Sequence, residues 1–205
     1  MQAETDRERR QVVSGSVPGV GLQSVVEAIL YAADGPMNGA EILDVIQRTA
    51  VQGKEELDGE IDTSSVELAC EALSRRLLAA GSALQIIEVA GGFRLTTGPR
   101  YDSWIRALRH IEGRRRLSLA ALETLAVVAF RQPATAAEIA AVRGVDPSSA
   151  LRTLRDQGLV RIVGRKRAVG RPFTYGTTRQ FLLTFGLRDL SELPAPAEFE
   201  ELLEG

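Results

Sequence analysis

The sequence has few of the residues from which catalytic and metal sites are usually built. Its 205 residues include one histidine, His110, and one cysteine, Cys70. These two cannot supply a zinc site, which needs several ligands dominated by these residue types, and a single cysteine excludes an intramolecular disulfide. A phosphate loop of the form Gly-x-x-x-x-Gly-Lys-Ser/Thr does not occur in the sequence. We therefore expect no enzymatic activity, no bound metal and no cofactor.

Long hydrophobic runs and a strong charge of one sign are also absent. No apolar run approaches the roughly 20 residues that span a bilayer, and residues 1–10 lack the apolar stretch of a secretory signal. The formal net charge is −2, which predicts no strong affinity of the whole chain for polyanions or membranes. We expect a cytoplasmic protein in which Cys70 is a buried structural thiol and His110 a surface residue.

Hydrophobic spacing predicts three helices in the first half of the chain, near residues 22–33, 40–46 and 64–80. Leu68, Leu73 and Leu77 are expected to face inward from the third of these helices. Two β-favouring runs, 83–89 and 93–97, then flank Gly91-Gly92 and indicate a hairpin. Three helices followed by a hairpin is the order of a winged helix, an elaborated helix-turn-helix.

The same order recurs in the second half. Thr135 and Glu138 have the spacing of a capping box at the start of a short helix, and Asp146-Pro147 is typical of the start of the next. Pro133 and Glu138 follow Pro36 and Glu41 by the same 97 residues, which indicates an internal duplication. A second hairpin is predicted from residues 159–163 and 173–178.

These patterns predict a mostly α fold with small β-hairpins (α+β), consisting of two tandem winged-helix domains joined by a helical linker. The expected parts are a disordered tail at 1–20, an N-terminal winged-helix domain at 21–98, a helical linker at 99–116, a C-terminal winged-helix domain at 117–188, and an acidic extended tail at 189–205.

Basic residues are concentrated in the second half. Between Arg143 and Arg179 there are nine Arg or Lys and two Asp. In DNA-binding winged helices the third helix enters the major groove and the wing contacts phosphate. The candidate nucleic-acid contacts are Arg152, Arg155, Lys166 and Arg167. The alternatives are a solvated hairpin or a site for an acidic partner, and the third helix of the first half offers only Arg75 and Arg76.

Several motifs in the second half resemble one known family. The stretch 117–133 reads LSLAALETLAVVAFRQP, and RGV at 143–145, GRP at 170–172 and YGTT at 175–178 follow it. Together they resemble the C-terminal domain of the segregation and condensation protein B (ScpB) family, and GGFRL at 91–95 resembles its first wing. The resemblance extends over residues 22–194.

The resemblance implies a non-catalytic accessory subunit of the bacterial SMC condensin, associated with the nucleoid. Such proteins pair through their N-terminal domains and bind the kleisin ScpA, and through it SMC. Candidate ScpA-binding residues are Arg131, Gln132, Arg165, Arg171, Tyr175 and Phe181. For Tyr175 and Phe181 the alternative is packing of the wing onto its own domain.

An apparent surplus of apolar residues in the first half marks a candidate dimer interface. It comprises Val25, Ile29, Leu30, Ile42, Val45 and Ile46, for which ordinary core packing is the alternative. The competing function for the whole chain is a DNA-binding transcriptional regulator that uses the Arg-rich second domain.

Overall fold

The structure, a computed structural model, describes residues 21–51, 60–108 and 117–193. The predicted tail at 1–20, residues 52–59, the end of the linker with His110, and residues 194–205 lie outside the described residues. The described part contains eight α-helices, two 3₁₀ turns and five strands. No helix in this part combines the length and the apolar composition that crossing a membrane requires.

The first half forms three helices and a two-stranded antiparallel hairpin. Their bounds are α1 Leu22–Ala32, α2 Gly39–Val51, α3 Thr63–Ala79, β1 Leu84–Val89 and β2 Gly92–Thr97. Buried side chains of the three helices make the first core, onto which the inner face of the hairpin packs. Cys70 is fully buried there, and burial raises its pKa to about 11. The thiol is therefore protonated at neutral pH, as expected for a structural cysteine.

The second half repeats this order after a short connection. The elements are a 3₁₀ turn Pro99–Tyr101, α4 Asp102–Leu108, α5 Leu119–Arg131, β3 Ala134–Thr135, α6 Ala136–Arg143, α7 Ser148–Asp156, β4 Val160–Arg165, β5 Phe173–Thr177, α8 Arg179–Phe185 and a 3₁₀ turn Leu190–Glu192. Buried residues of the helices α5, α6, α7 and α8 and of the second hairpin form a separate core. The sheet has the order β3-β5-β4, and the sequence pattern had not indicated its short third strand.

The offset of 97 residues recurs in the detailed structure. Asn38 and Glu41 form a reciprocal capping box, in which each backbone N–H donates to the other side chain at 2.8 Å. Thr135 and Glu138 form the equivalent box at the start of α6. The next apolar residues, Ile42 and Ile139, are both fully buried. The same local signal therefore starts the second helix of each half and points its first isoleucine into the core.

The residue before each capping box also has the same role. Met37 forms an antiparallel bridge to Phe93 in β2, with backbone N···O distances of 2.8 and 3.0 Å. Ala134, 97 residues later, pairs with Tyr175 in β5. In both halves the start of the second helix is thus tied to the second strand of the hairpin.

Three details differ from the sequence predictions. Leu68 is 62% exposed, because the buried residues of α3 lie on the opposite side of the helix. α7 begins at Ser148 rather than Pro147, and Asp146 accepts the Ser148 N–H from outside the helix at 3.2 Å. Residues 190–192, expected to be part of an extended tail, form a 3₁₀ turn capped by Asp189, and Leu193 packs against the second core.

The two halves contact each other through the turn of the first hairpin. Ala90 and Gly91 have positive φ angles of 51° and 72°, as a two-residue turn of type I′ requires. Their N–H groups donate to the carbonyls of Leu187 and Arg188 at 2.8 and 2.9 Å. The Arg179 guanidinium also donates to the Pro36 carbonyl at 2.7 Å. Backbone groups of the first half are therefore satisfied by the first residue of α8 and by the two residues that follow Gly186 after its end.

Candidate partner interface

Gln132 ties the end of α5 to the second hairpin. Its Oε1 accepts hydrogen bonds from the Thr177 N–H at 2.7 Å and the Thr177 hydroxyl at 3.0 Å. Its Nε2 donates to the Ala129 carbonyl at 3.1 Å. Both ends of the amide are engaged within the protein, which gives Gln132 a structural role that its place in the sequence did not reveal.

A groove lies beside this amide. It has a volume of about 600 Å³ and is lined by Gln132, Pro133, Val163, Gly164, Arg165, Lys166, Thr174 and Gly176. Glycine is needed at position 176, because a Cβ there would lie 2.9 Å from both Gln132 Oε1 and Val163 Cγ1. Its lining combines the apolar Pro133 and Val163 with the cations Arg165 and Lys166.

Arg165 and Arg171 lie at the base of the hairpin tip, and both are exposed. The Arg165 guanidinium stacks over the Phe173 ring at 4.0 Å from its centroid, a cation–π contact. It also donates to the Arg171 carbonyl at 3.1 Å. Arg165 therefore stabilises the tip of the hairpin while its charge remains accessible to a partner.

The two aromatic candidates are not equally accessible. Phe181 is 3% exposed and packs against Phe185 with ring centroids 4.9 Å apart. Tyr175 is half-buried and packs against the second core. Arg131, at the end of α5, is exposed. Of the six candidates for the ScpA surface, the structure leaves Arg131, Arg165 and Arg171 fully accessible, Gln132 and Tyr175 partly so, and Phe181 in the core.

Lys166 is paired with Glu138, the carboxylate of the second capping box. This hydrogen bond, together with those from Thr135, lowers the pKa of Glu138 to about 2. The pair joins the base of the hairpin tip to α6. Lys166, proposed from sequence as a nucleic-acid contact, is therefore engaged within the protein in this structure.

The remaining nucleic-acid candidates are exposed. Arg152 and Arg155 lie three residues apart on the outer face of α7, and Arg167 lies on the hairpin tip. Arg152 makes only a long ion pair of 4.0 Å with Asp156. Two other cations of this basic stretch stabilise the fold. The Arg143 side chain is 7% exposed and bonds the side chains of Glu123 and Thr124. The Arg179 guanidinium donates to the Pro36 carbonyl. The accessible charge is smaller than the sequence count suggests.

The six candidate dimer residues divide into two groups. Leu30, Ile42 and Ile46 are at most 8% exposed and belong to the first core, so their side chains are not accessible to a second copy. Val25, Ile29 and Val45 are half-buried. The sequence pattern did not indicate an accessible groove of about 620 Å³ between the start of α1 and α3, whose mixed lining includes the apolar Leu22 and Leu68 and the polar Gln23, Arg75 and Arg76.

Comparisons with known proteins agree on one family. Residues 24–196 match the family model described as segregation and condensation complex subunit ScpB. The chain is 41% identical over 183 residues to segregation and condensation protein B of Syntrophotalea carbinolica, covering 89% of this chain and 86% of that protein. It is 44% identical over 176 residues to the protein of the same name from Symbiobacterium thermophilum, covering 86% and 74%.

One solved structure with a similar sequence carries the same name. The crystal structure of ScpB from Mycobacterium tuberculosis is 32% identical, with 81% of this chain and 95% of that chain covered and a TM-score of 0.36. The family model spans both helix-and-hairpin halves, and the curated relatives match over most of their length. The chain therefore belongs to the ScpB family of segregation and condensation complex subunits.

Proposed function

We propose that this chain is a non-catalytic subunit of the bacterial SMC condensin, which pairs with a second copy and binds the kleisin ScpA. In this role it acts in chromosome condensation and segregation, in the cytoplasm at the nucleoid. The observation that carries the proposal is the family match over residues 24–196. SMC is reached through ScpA rather than by direct contact.

The proposed architecture is two tandem winged-helix domains, residues 21–98 and 117–188, joined by the linker 99–116. The order of three helices and a hairpin in each half supports it. So does the strand bridge that links the start of the second helix to the hairpin in both halves. In this interpretation β4, β5 and the tip between them form the second wing.

For pairing, we propose the groove between α1 and α3, next to the half-buried Val25 and Ile29. Leu68 lines this groove and is 62% exposed, so its side chain is accessible to a second copy. Leu68→Glu is expected to convert a dimer to a monomer in light scattering. The control is Leu78→Glu, since Leu78 is 83% exposed but lines a different groove beside the first hairpin. If Leu68→Glu and Leu78→Glu dimerise to the same extent, the groove between α1 and α3 is not the pairing surface.

For ScpA, we propose the accessible cations of the second half, Arg131, Arg165 and Arg171, with Tyr175 beside them. The test mixes the chain with the central segment of ScpA from the same organism and measures complex mass by light scattering at low and high salt. The complex is expected to weaken only moderately at high salt, because the arginines meet acidic side chains while Tyr175 packs on apolar ones, whereas a complex with DNA weakens steeply. Arg131→Glu is expected to weaken it and Arg94→Glu, an exposed arginine on the first hairpin, to leave it unchanged. Absence of any complex contradicts the proposal.

The second candidate is a DNA-binding regulator, favoured by the exposed Arg152 and Arg155 on α7 and Arg167 on the hairpin tip. Binding through phosphates weakens steeply as salt rises. Anisotropy of a labelled duplex, titrated at several salt concentrations, distinguishes the two candidates. Tight, salt-sensitive binding that Arg152→Glu/Arg155→Glu abolishes would favour the regulator over the scaffold.

A further inference from the structure

The groove beside Gln132 has the chemistry of a peptide-binding site. Val163 is 42% exposed and lines the groove together with Pro133. Arg165 and Lys166 also line it. A ligand that suits this groove places an apolar side chain on Val163 and Pro133 and carboxylates near the two cations.

Most of the cations of the second hairpin have no acidic partner in the described part of the chain. Residues 160–172 contain five basic residues and no acidic one. Within residues 21–51, 60–108 and 117–193, Lys166 is the member of this group that pairs with a carboxylate, Glu138. Arg161, Arg165, Arg167 and Arg171 have no such pair there. Their charge is left to attract a carboxylate from elsewhere.

The chain itself carries a segment of complementary composition. Residues 194–205 read PAPAEFEELLEG, with four glutamates and no basic residue. Phe199 lies between Glu198 and Glu200, so an apolar ring is flanked by carboxylates. Leu193, immediately before the segment, packs against the second core. Six further residues reach about 20 Å, a distance comparable to the width of a unit of this size.

We propose that residues 194–205 bind in cis to this groove, with Phe199 against Val163 and Pro133 and the flanking glutamates facing Arg165 and Arg171. The segment then covers part of the cationic surface of the second hairpin and competes with any other acidic ligand for it. Attraction between opposite charges brings the segment to the groove, and burial of the ring holds it there.

A pair of engineered cysteines tests this binding in the full chain. Val163→Cys/Phe199→Cys is expected to form an intramolecular disulfide under oxidised glutathione, detected as a monomeric species by mass spectrometry and non-reducing gel. Cys70 can remain, because it is buried. The matched control is Val145→Cys/Phe199→Cys, since Val145 is 54% exposed in the same half but lies outside the groove. The control is expected to cross-link more slowly.

Charge reversal in the segment is a second test of the proposal, and it leaves the residues of the groove unchanged. Adding Glu198→Lys/Glu200→Lys to the cysteine pair is expected to lower the cross-linking rate about fivefold, a change typical of losing two surface ion pairs. Equal rates for the groove and control pairs overturn the proposal, as does no effect of charge reversal. A disulfide that forms only between two chains overturns binding in cis. The assay uses this chain alone, so its outcome is independent of ScpA binding.

Discussion

The two halves of the chain share their architecture but stabilise their hairpins in different ways. The first hairpin has a two-residue turn, Ala90-Gly91, and is tied to Met37 by backbone hydrogen bonds. The second is paired to Ala134 and Thr135 in the same way, but it has a long basic tip, residues 166–172, and is held in addition by side chains, through Gln132 to Thr177 and through Lys166 to Glu138. A common apolar and capping pattern therefore builds both units, while polar residues added to the second provide its distinct surface.

The same contrast extends to what each half presents to a partner. Both halves have exposed apolar residues on their helices, such as Leu68 in the first and Leu119 in the second. The arginines of α3 pair with glutamates, whereas the second hairpin has exposed arginines without such partners among the described residues. The halves therefore differ in accessible charge, which favours the second for capture of an acidic segment.

The largest expected effect tests whether the two cores are equivalent. Ile42→Ala and Ile139→Ala each remove a fully buried side chain and are expected to lower the free energy of unfolding by about 2–5 kcal/mol. Urea unfolding followed by circular dichroism measures both. Ile→Val at each site is the control, with an expected cost of about 1 kcal/mol. A clearly smaller loss at one isoleucine would break the equivalence of the two positions.

A second prediction concerns the glycines of the two hairpins. A Cβ on Gly92 would lie 2.7 Å from the Met37 backbone carbon, whereas one on Gly176 would meet the side chains of Gln132 and Val163 at 2.9 Å. Overpacking of this kind typically costs about 1–3 kcal/mol. Gly92→Ala is expected to lower the melting temperature more than Gly176→Ala, because side chains move more easily than backbone. The reverse order would contradict the proposed difference in rigidity.

The capping boxes give a smaller and more nearly equal pair of effects. Asn38→Ala and Thr135→Ala each remove the side-chain acceptor at a helix start, which costs about 1 kcal/mol. Asn38→Ser and Thr135→Ser retain an acceptor and are expected to be milder. Denaturant midpoints of the four variants show whether the repeated motif makes the same contribution in both halves.

The smallest effect is a pH dependence specific to the second half. The pKa of Glu138 is lowered from 4.5 to about 2, so its ionised form stabilises the fold fully above pH 4.5, and this contribution is lost as pH falls through about 2. Lys166→Met removes the largest cause and is expected to flatten the decline of the melting temperature between these pH values. An unchanged pH profile in this variant would show that the pair does not form in solution.

The sequence predicted element order well and side-chain environments less well. Spacing and caps indicated the helices and hairpins, and the Thr135–Glu138 box was confirmed. The inward position of Leu68 was wrong, because an apolar residue at the edge of a helical pattern does not reveal its side. The strand β3 was missed, since two residues carry no readable alternation.

The candidate surface was the least predictable part. Gln132 and Thr177 are separated by 45 residues, and nothing local relates them. The spacing of Phe181 in the sequence fits contact with a partner as well as burial in the core. The structure places it in the core. Arg143 and Lys166 counted as surface charge in the sequence, yet both have acidic partners within the fold.

By itself the sequence determined where helices start and stop, because caps and glycines act through hydrogen bonds a few residues apart. Gly81 and Gly158 show this, as both end the third helix of their half with positive φ angles of 63° and 69°. Only the tertiary structure decided which cations remain accessible, which apolar residues reach the surface, and that the Ala90-Gly91 turn bonds to Leu187 and Arg188. Those outcomes depend on packing between distant segments, for which a linear pattern contains no local signal.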